Sequence, residues 1–247
     1  MPRKPKKANS AAATFAVAPS QLDLFLKIAN GLPTEPPSLY VDGGFRRGGR
    51  VAFLLLHVPP HSATYHIPLA QGLLSVGGEG TLSLKSILES DSIPKVTFDA
   101  RGLSHALWHH HGVELAGVRD LQLMELATRA KKQYKKYLAG LAKCVEQDLA
   151  PTCEIRKRWL EGSDKGTRSG RAPGQPAVRR VEVLPALWDV YHSKLSLPKY
   201  MLWIPQVQAQ TAKRLTASRQ PSTDTDADSN ALGPPEWCDK ELLKALE

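Results

Sequence analysis

The sequence predicts one α/β domain built on a mixed sheet, and three observations carry that reading. Three strand-like runs early in the chain are joined by links too short for crossovers. The hydrophobic period then changes to strands alternating with helices. Finally, 247 residues with 42% hydrophobic and 23% charged side chains match ordinary globular usage, which excludes a chain without a core. No uncharged apolar run approaches the ~18–20 residues of a membrane span. Residues 11–19 are too short and too weakly apolar for a secretory leader. Cys144, Cys153 and Cys238 are too widely spaced for a disulfide framework or a zinc signature. The expectation is an intracellular protein, nuclear or cytoplasmic, without a membrane partner.

Residues 1–19 are basic and then Ala/Ser-rich, and read as a disordered tail. In residues 20–30 (SQLDLFLKIAN), Leu22, Phe25, Leu26 and Ile28/Ala29 line one helical face that Gly31 closes. Residues 39–42, 51–58 and 63–69 read as strands, separated by GGFRRGG and PPHS, and so as an antiparallel meander. A short helix over 83–90, a buried strand over 95–100, a helix over 102–111 and a strand over 118–120 follow. Residues 121–149 form either one long basic helix or a broken pair. Residues 162–176 (GSDKGTRSGRAPGQP) lack apolar periodicity and read as a mobile loop. Helical spacing returns over 179–195 and 201–217. The folded domain is thus expected over 20–217, with 218–247 a mostly disordered acidic tail.

The charge distribution points to a partner. Lys and Arg outnumber Asp and Glu by 33 to 24. Residues 129–143 hold six basic side chains and no acid, whereas residues 220–247 hold two basic against seven acidic. A basic middle suits a polyanion, most often nucleic acid, although a soluble basic surface accounts for the same charges. On a helix, Arg129, Lys131, Lys132, Lys135 and Lys136 recur at i, i+3/i+4 and form a basic ridge. Tyr134 or Tyr137 is then placed either to stack on a base or to pack inward.

Few residues offer chemistry. Asp42, before Gly43 and Gly44, is either a metal ligand at a strand end or the start of an Asx turn. Asp99 closes a strand with Arg101 two residues on, which fits a structural pair, a helix cap or a functional carboxylate. His105 and His109 share a helical face, but no Cys, Asp or Glu completes a ligand set, so His109–His111 read as a solvated helix end.

Taken together, SLYVD, VAFLLLHVPP, LKSILESDSIPKVTFDARGLSHALW, GVELAGVRDLQLMELATR and VEVLPALWDVYHSKL resemble the fungal 3′–5′ exonuclease domain proteins, relatives of ribonuclease D and the Werner-type exonuclease. The resemblance covers about residues 32–146 and 181–195. It implies an RNase H-like fold and, as family activity, phosphodiester hydrolysis from the 3′ end of single-stranded RNA or DNA by two Mg²⁺ or Mn²⁺ ions held by four carboxylates. Set onto this chain, Asp42 matches the first carboxylate, but Gly44, Leu103 and Arg180 stand at the other three positions. Asp120 matches a family aspartate beside the metal site, and Asp99 is a possible substitute carboxylate. The resemblance therefore implies a nucleic-acid-binding domain with impaired catalysis, or a non-catalytic binding module.

Overall fold

The computed structural model describes residues 13–17, 21–45, 49–69, 73–77, 82–130, 135–163, 175–220 and 231–238. Its elements run β1 (Ala13–Ala16), α1 (Leu22–Asn30), β2 (Leu39–Phe45), β3 (Val51–Val58), β4 (Ala63–Pro68), α2 (Leu84–Glu89), β5 (Lys95–Thr97), α3 (Ala100–His111) and β6 (Val118–Asp120). Helices α4 (Leu121–Ala127), α5 (Leu141–Asp148), α6 (Glu154–Ser163), α7 (Gln175–Glu182), α8 (Leu184–Leu195), α9 (Pro198–Met201) and α10 (Trp203–Ser218) complete the fold. Strands β2, β3 and β4 make the expected antiparallel meander, with β5 parallel to β2 and β6 parallel to β5. The sheet order is β1-β4-β3-β2-β5-β6. None of the described helices is long and apolar enough to cross a membrane.

Helices cover both faces, which is why β3 (VAFLLLHV) is apolar almost throughout. Side chains alternate across the sheet. Leu39 and Val41 of β2 join Leu54 and Leu56 of β3 in a core closed by α1, α2 and α3. Tyr40 and Leu55 face the opposite core, built from α4, α5, α7 and α8. Asp42 and Gly44, two and four residues beyond Tyr40, share that second face.

Three expectations need correction, and one open alternative, over 121–149, is decided. The segment 13–16 is not tail: β1 adds a parallel strand beside β4, from Ala13↔Ala63 to Ala16↔His66. Strand β5 stops at Thr97, because Asp99 takes a left-handed backbone (φ 60°) and starts α3. Residues 121–149 form a broken pair, so no continuous helix carries the basic residues. Helix α4 ends as the Thr128 hydroxyl donates to the Glu125 carbonyl (2.8 Å) and the Lys135 ammonium donates to the carbonyls of Leu126 and Ala127. Lastly, residues 231–238 fold back onto the domain and bury Trp237. Most of the expected loop 162–176, the rest of the N-terminal tail and residues 221–230 lie outside the described residues.

A buried polar pair ties β3 to β4: His57 Nδ1 and the Thr64 hydroxyl are hydrogen-bonded at 2.9 Å. Burial pushes the His57 imidazole down to about 4 from its ordinary 6.5. The folded protein therefore resists protonation that the unfolded chain accepts. Stability from this group is complete above pH 6.5 and is lost as pH falls toward 4, by about 3 kcal/mol at ~1.4 kcal/mol per unit. Urea unfolding of His57→Asn beside the parent should show a shallower loss between those pH values. Parallel curves would place His57 in contact with solvent.

Candidate functional site

The parallel strands β2, β5 and β6 point their carboxyl ends to one edge of the sheet, the edge where open α/β sheets bind ligands. Asp42 lies in β2 just past its pairing with β5, Asp99 lies two residues after β5 and Asp120 ends β6, and each aspartate is matched to an arginine. Asp42 accepts from its neighbour Gly43 N–H through Oδ1 (2.9 Å) and from Arg180 Nε on α7 through Oδ2 (2.8 Å). Strand β2 runs on past Asp42 to Phe45, so Gly43 and Gly44 are strand residues rather than a turn.

Asp99 serves as N-cap of α3, accepting from Arg101 N–H, and it also receives a two-pronged contact from the Arg101 guanidinium (Nε–Oδ1 2.7 Å, Nη2–Oδ2 2.8 Å). Burial pushes the Asp99 carboxyl up, but the Arg101 contacts and the charge of Arg214 outweigh it and hold it below its ordinary value. Asp120 is fully buried and caps α4. It accepts from the N–H groups of Asp99 (3.1 Å), Ala100 (3.2 Å) and Gln122 (3.0 Å), and from Arg214 Nη1 of α10 (2.8 Å). It thereby fixes the left-handed turn at Asp99, a conformation that aspartate tolerates better than most residues.

Gly44 and Leu103 do not line a common pocket. A Cβ built on Gly43 meets Leu103 Cδ1 at 3.0 Å, which places Leu103 against the first core. A Cβ on Gly44 would fall 2.0 Å from Cζ of Phe53, its cross-strand partner in the register. The Phe53 ring thus lies over the glycine, with the His66 ring 4.5 Å behind it. Gly44→Ala should cost about 1–3 kcal/mol by overpacking, and should cost far less in a Phe53→Ala background. Equal costs in both backgrounds would show that the ring does not occupy that space.

Three basic members of the cluster, Arg129, Lys135 and Lys136, are among the described residues. Arg129 lies beyond α4 and is paired with Glu125 (2.6 Å). Lys135 is buried, its ammonium 4.3 Å from the Trp203 ring, and burial pushes it down to about 8. Lys136 sits by the Tyr137 ring at 5.2 Å. Lys131, Lys132 and Tyr134 lie outside the described residues. The His105 and His109 rings are 4.3 Å apart, but His105 Nδ1 is bonded to the Ser218 carbonyl (3.0 Å). Among the described residues no group of three or more His, Cys, Asp or Glu is placed to hold a metal ion.

A two-metal centre is a poor fit to this edge. Two divalent ions bring four positive charges and need an excess of carboxylate around them. Here Asp42, Asp99 and Asp120 are each paired with one guanidinium, and both oxygens of Asp42 already accept hydrogen bonds, from Gly43 N–H and from Arg180.

The fold is that of ribonuclease D and related 3′–5′ exonucleases. Trypanosoma brucei RNase D superposes with a TM-score of 0.69 over 94% of this chain and 82% of its own, at 16% identity. That enzyme has also been solved with GMP and with RNA U12. Brucella melitensis NrnC, solved also with pGG and with Mg²⁺, superposes at 0.53 over 81% of this chain and 95% of its own, at 17% identity. In sequence, the piRNA biogenesis protein EXD1 of Bombyx mori is 29% identical over 122 residues, which span 47% of this chain and 38% of that relative. No family model matches the chain.

Proposed function

We propose that this chain is a nucleic-acid-binding domain of the 3′–5′ exonuclease type in which two-metal hydrolysis is impaired. The observation that carries the reading is the one-to-one pairing of Asp42, Asp99 and Asp120 with Arg180, Arg101 and Arg214 at the strand edge of a ribonuclease D-like fold. The RNA, GMP and pGG held by the solved neighbours support nucleic acid as the partner, and the Mg²⁺ of NrnC supports magnesium as the ion the fold employs when its site is complete. In this chain the aspartates orient arginines and cap helices rather than activate water. We assign the binding domain to residues 20–217 together with β1 and residues 231–238, with single-stranded RNA or DNA as its ligand and an intracellular setting.

The test is a 3′-end-labelled single-stranded RNA and its DNA counterpart, incubated with the full chain and Mg²⁺ or Mn²⁺. Retention on the protein without release of 3′ nucleotides above background is the expected result. Release that Asp42→Ala abolishes would overturn the impairment and restore an active nuclease.

A further inference from the structure

The geometry points to Arg180 as a metal-independent phosphate contact, a guanidinium on an aspartate tether at the edge where ligands enter this fold. This inference rests on the nucleic-acid reading above and names the contact that would serve it.

Three arginines meet the three aspartates at this edge, but they are not equally available. The Arg214 side chain is 8% exposed and that of Arg101 26%, whereas that of Arg180 is 45% exposed. Arg214 is locked between Asp120 and the Gln122 side chain (3.1 Å), and both prongs of Arg101 go to Asp99. Arg180 binds Asp42 through Nε alone in a hydrogen bond of 2.8 Å. A guanidinium has five N–H donors in a fixed plane. Anchoring Nε leaves its outer face to meet a phosphate, and the anchor removes rotamer freedom that a free arginine would lose on binding. Asp42 is itself steadied by the Gly43 N–H, and α7 packs on β2 and β3, so the tether stands on the rigid sheet.

Charge sets the sign of the prediction. A phosphate held by a metal ion needs the aspartate negative, because the aspartate holds the metal. A phosphate held by Arg180 is repelled by the same negative charge, which serves only as an acceptor for Nε. The amide oxygen of Asn accepts that hydrogen bond without the charge. Asp42→Asn should therefore weaken a metal-bridged complex and strengthen a guanidinium-held one.

The experiment measures binding of a short 5′-fluorescein single-stranded RNA by anisotropy, across a salt series, in EDTA and in Mg²⁺. Equal affinity in EDTA and Mg²⁺ is expected. Arg180→Ala should weaken binding about tenfold at low salt, the worth of one charge-assisted contact. It should also lower the salt slope by about 0.7, the share of one single-strand phosphate. Arg180→Lys, which keeps the charge, should retain that slope, and Asp42→Asn should bind severalfold more tightly than the parent. Binding that needs Mg²⁺ and is lost in Asp42→Asn would overturn the inference while leaving the nucleic-acid reading in place. So would affinity untouched by Arg180→Ala in a protein with parental circular dichroism. Absence of binding to RNA or DNA at low salt would instead overturn the reading on which the inference rests.

Discussion

Asp120→Ala is expected to lower the stability of the domain by about 3–5 kcal/mol, the cost of stranding one partner of a buried ion pair. Asp120 is fully buried and the Arg214 side chain is 8% exposed, so the guanidinium would keep its charge with the Gln122 side-chain oxygen as its remaining hydrogen-bond partner. The N–H groups of Asp99 and Ala100 would lose their acceptor as well, and with it the force holding the Asp99 backbone at φ 60°. Against a typical domain stability of about 5–15 kcal/mol, that is a large share. Adding Arg214→Met to Asp120→Ala should recover part of the loss, because the unpaired charge is then gone while the apolar volume remains. Urea midpoints of the parent, both single variants and the double variant give the coupling. An Asp120→Ala protein within about 0.5 kcal/mol of the parent would mean that water reaches the pair.

Periodicity carried most of the fold. The strand-like runs at 39–42, 51–58 and 63–69 with their short links, and the later change to helical spacing, are legible in the chain and correspond to β2, β3, β4 and the helices that follow. A helix cap is one of the readings open for Asp99, and a cap on Asp120 is not read from the sequence. Both aspartates cap helices. What a single sequence hides is the partner that arrives from far along the chain. Arg180 reaches Asp42 across 138 residues and Arg214 reaches Asp120 across 94. One signal for the latter was present: Trp203, Val207, Thr211 and Arg214/Leu215 recur at helical spacing, which puts an arginine on the buried stripe of α10. A charge on such a stripe asks for an internal counter-ion.

The helix expected to carry the basic run is interrupted for a different reason. Charge patterning assumed that helix continues wherever spacing permits, but Lys135 and Thr128 end α4 by occupying its last carbonyls. A lysine used as a helix cap and buried against an indole contributes nothing to a surface ridge. Of the three arginines paired with aspartates at the strand edge, Arg180 alone has a side chain close to half exposed.

Trp237→Ala should likewise cost about 3–5 kcal/mol, the range for emptying a tryptophan site in a core. Trp237 is 1% exposed, although it follows an acidic stretch that composition alone assigns to a tail. Its ring meets Trp203 edge-on, with centroids 5.2 Å apart and planes at 71°, while the Lys135 ammonium lies over the same Trp203 ring. Backbone bonds hold the segment in place: Leu138 N–H donates to the Ala231 carbonyl and Gly233 N–H to the Lys136 carbonyl, both at 2.9 Å. Gly233 fits because a Cβ there would stand 2.4 Å from the Lys135 carbonyl oxygen. The Lys213–Glu236 ion pair adds little, since both side chains are well exposed. Removing the indole therefore takes away the chief apolar anchor of residues 231–238, and the loss should be read locally as well as globally. Hydrogen exchange at the Leu138 and Gly233 amides should accelerate with the drop in urea midpoint, and Trp237→Phe should restore part of both. Unchanged exchange at those two amides, with an unchanged midpoint, would detach the C-terminal segment from the fold.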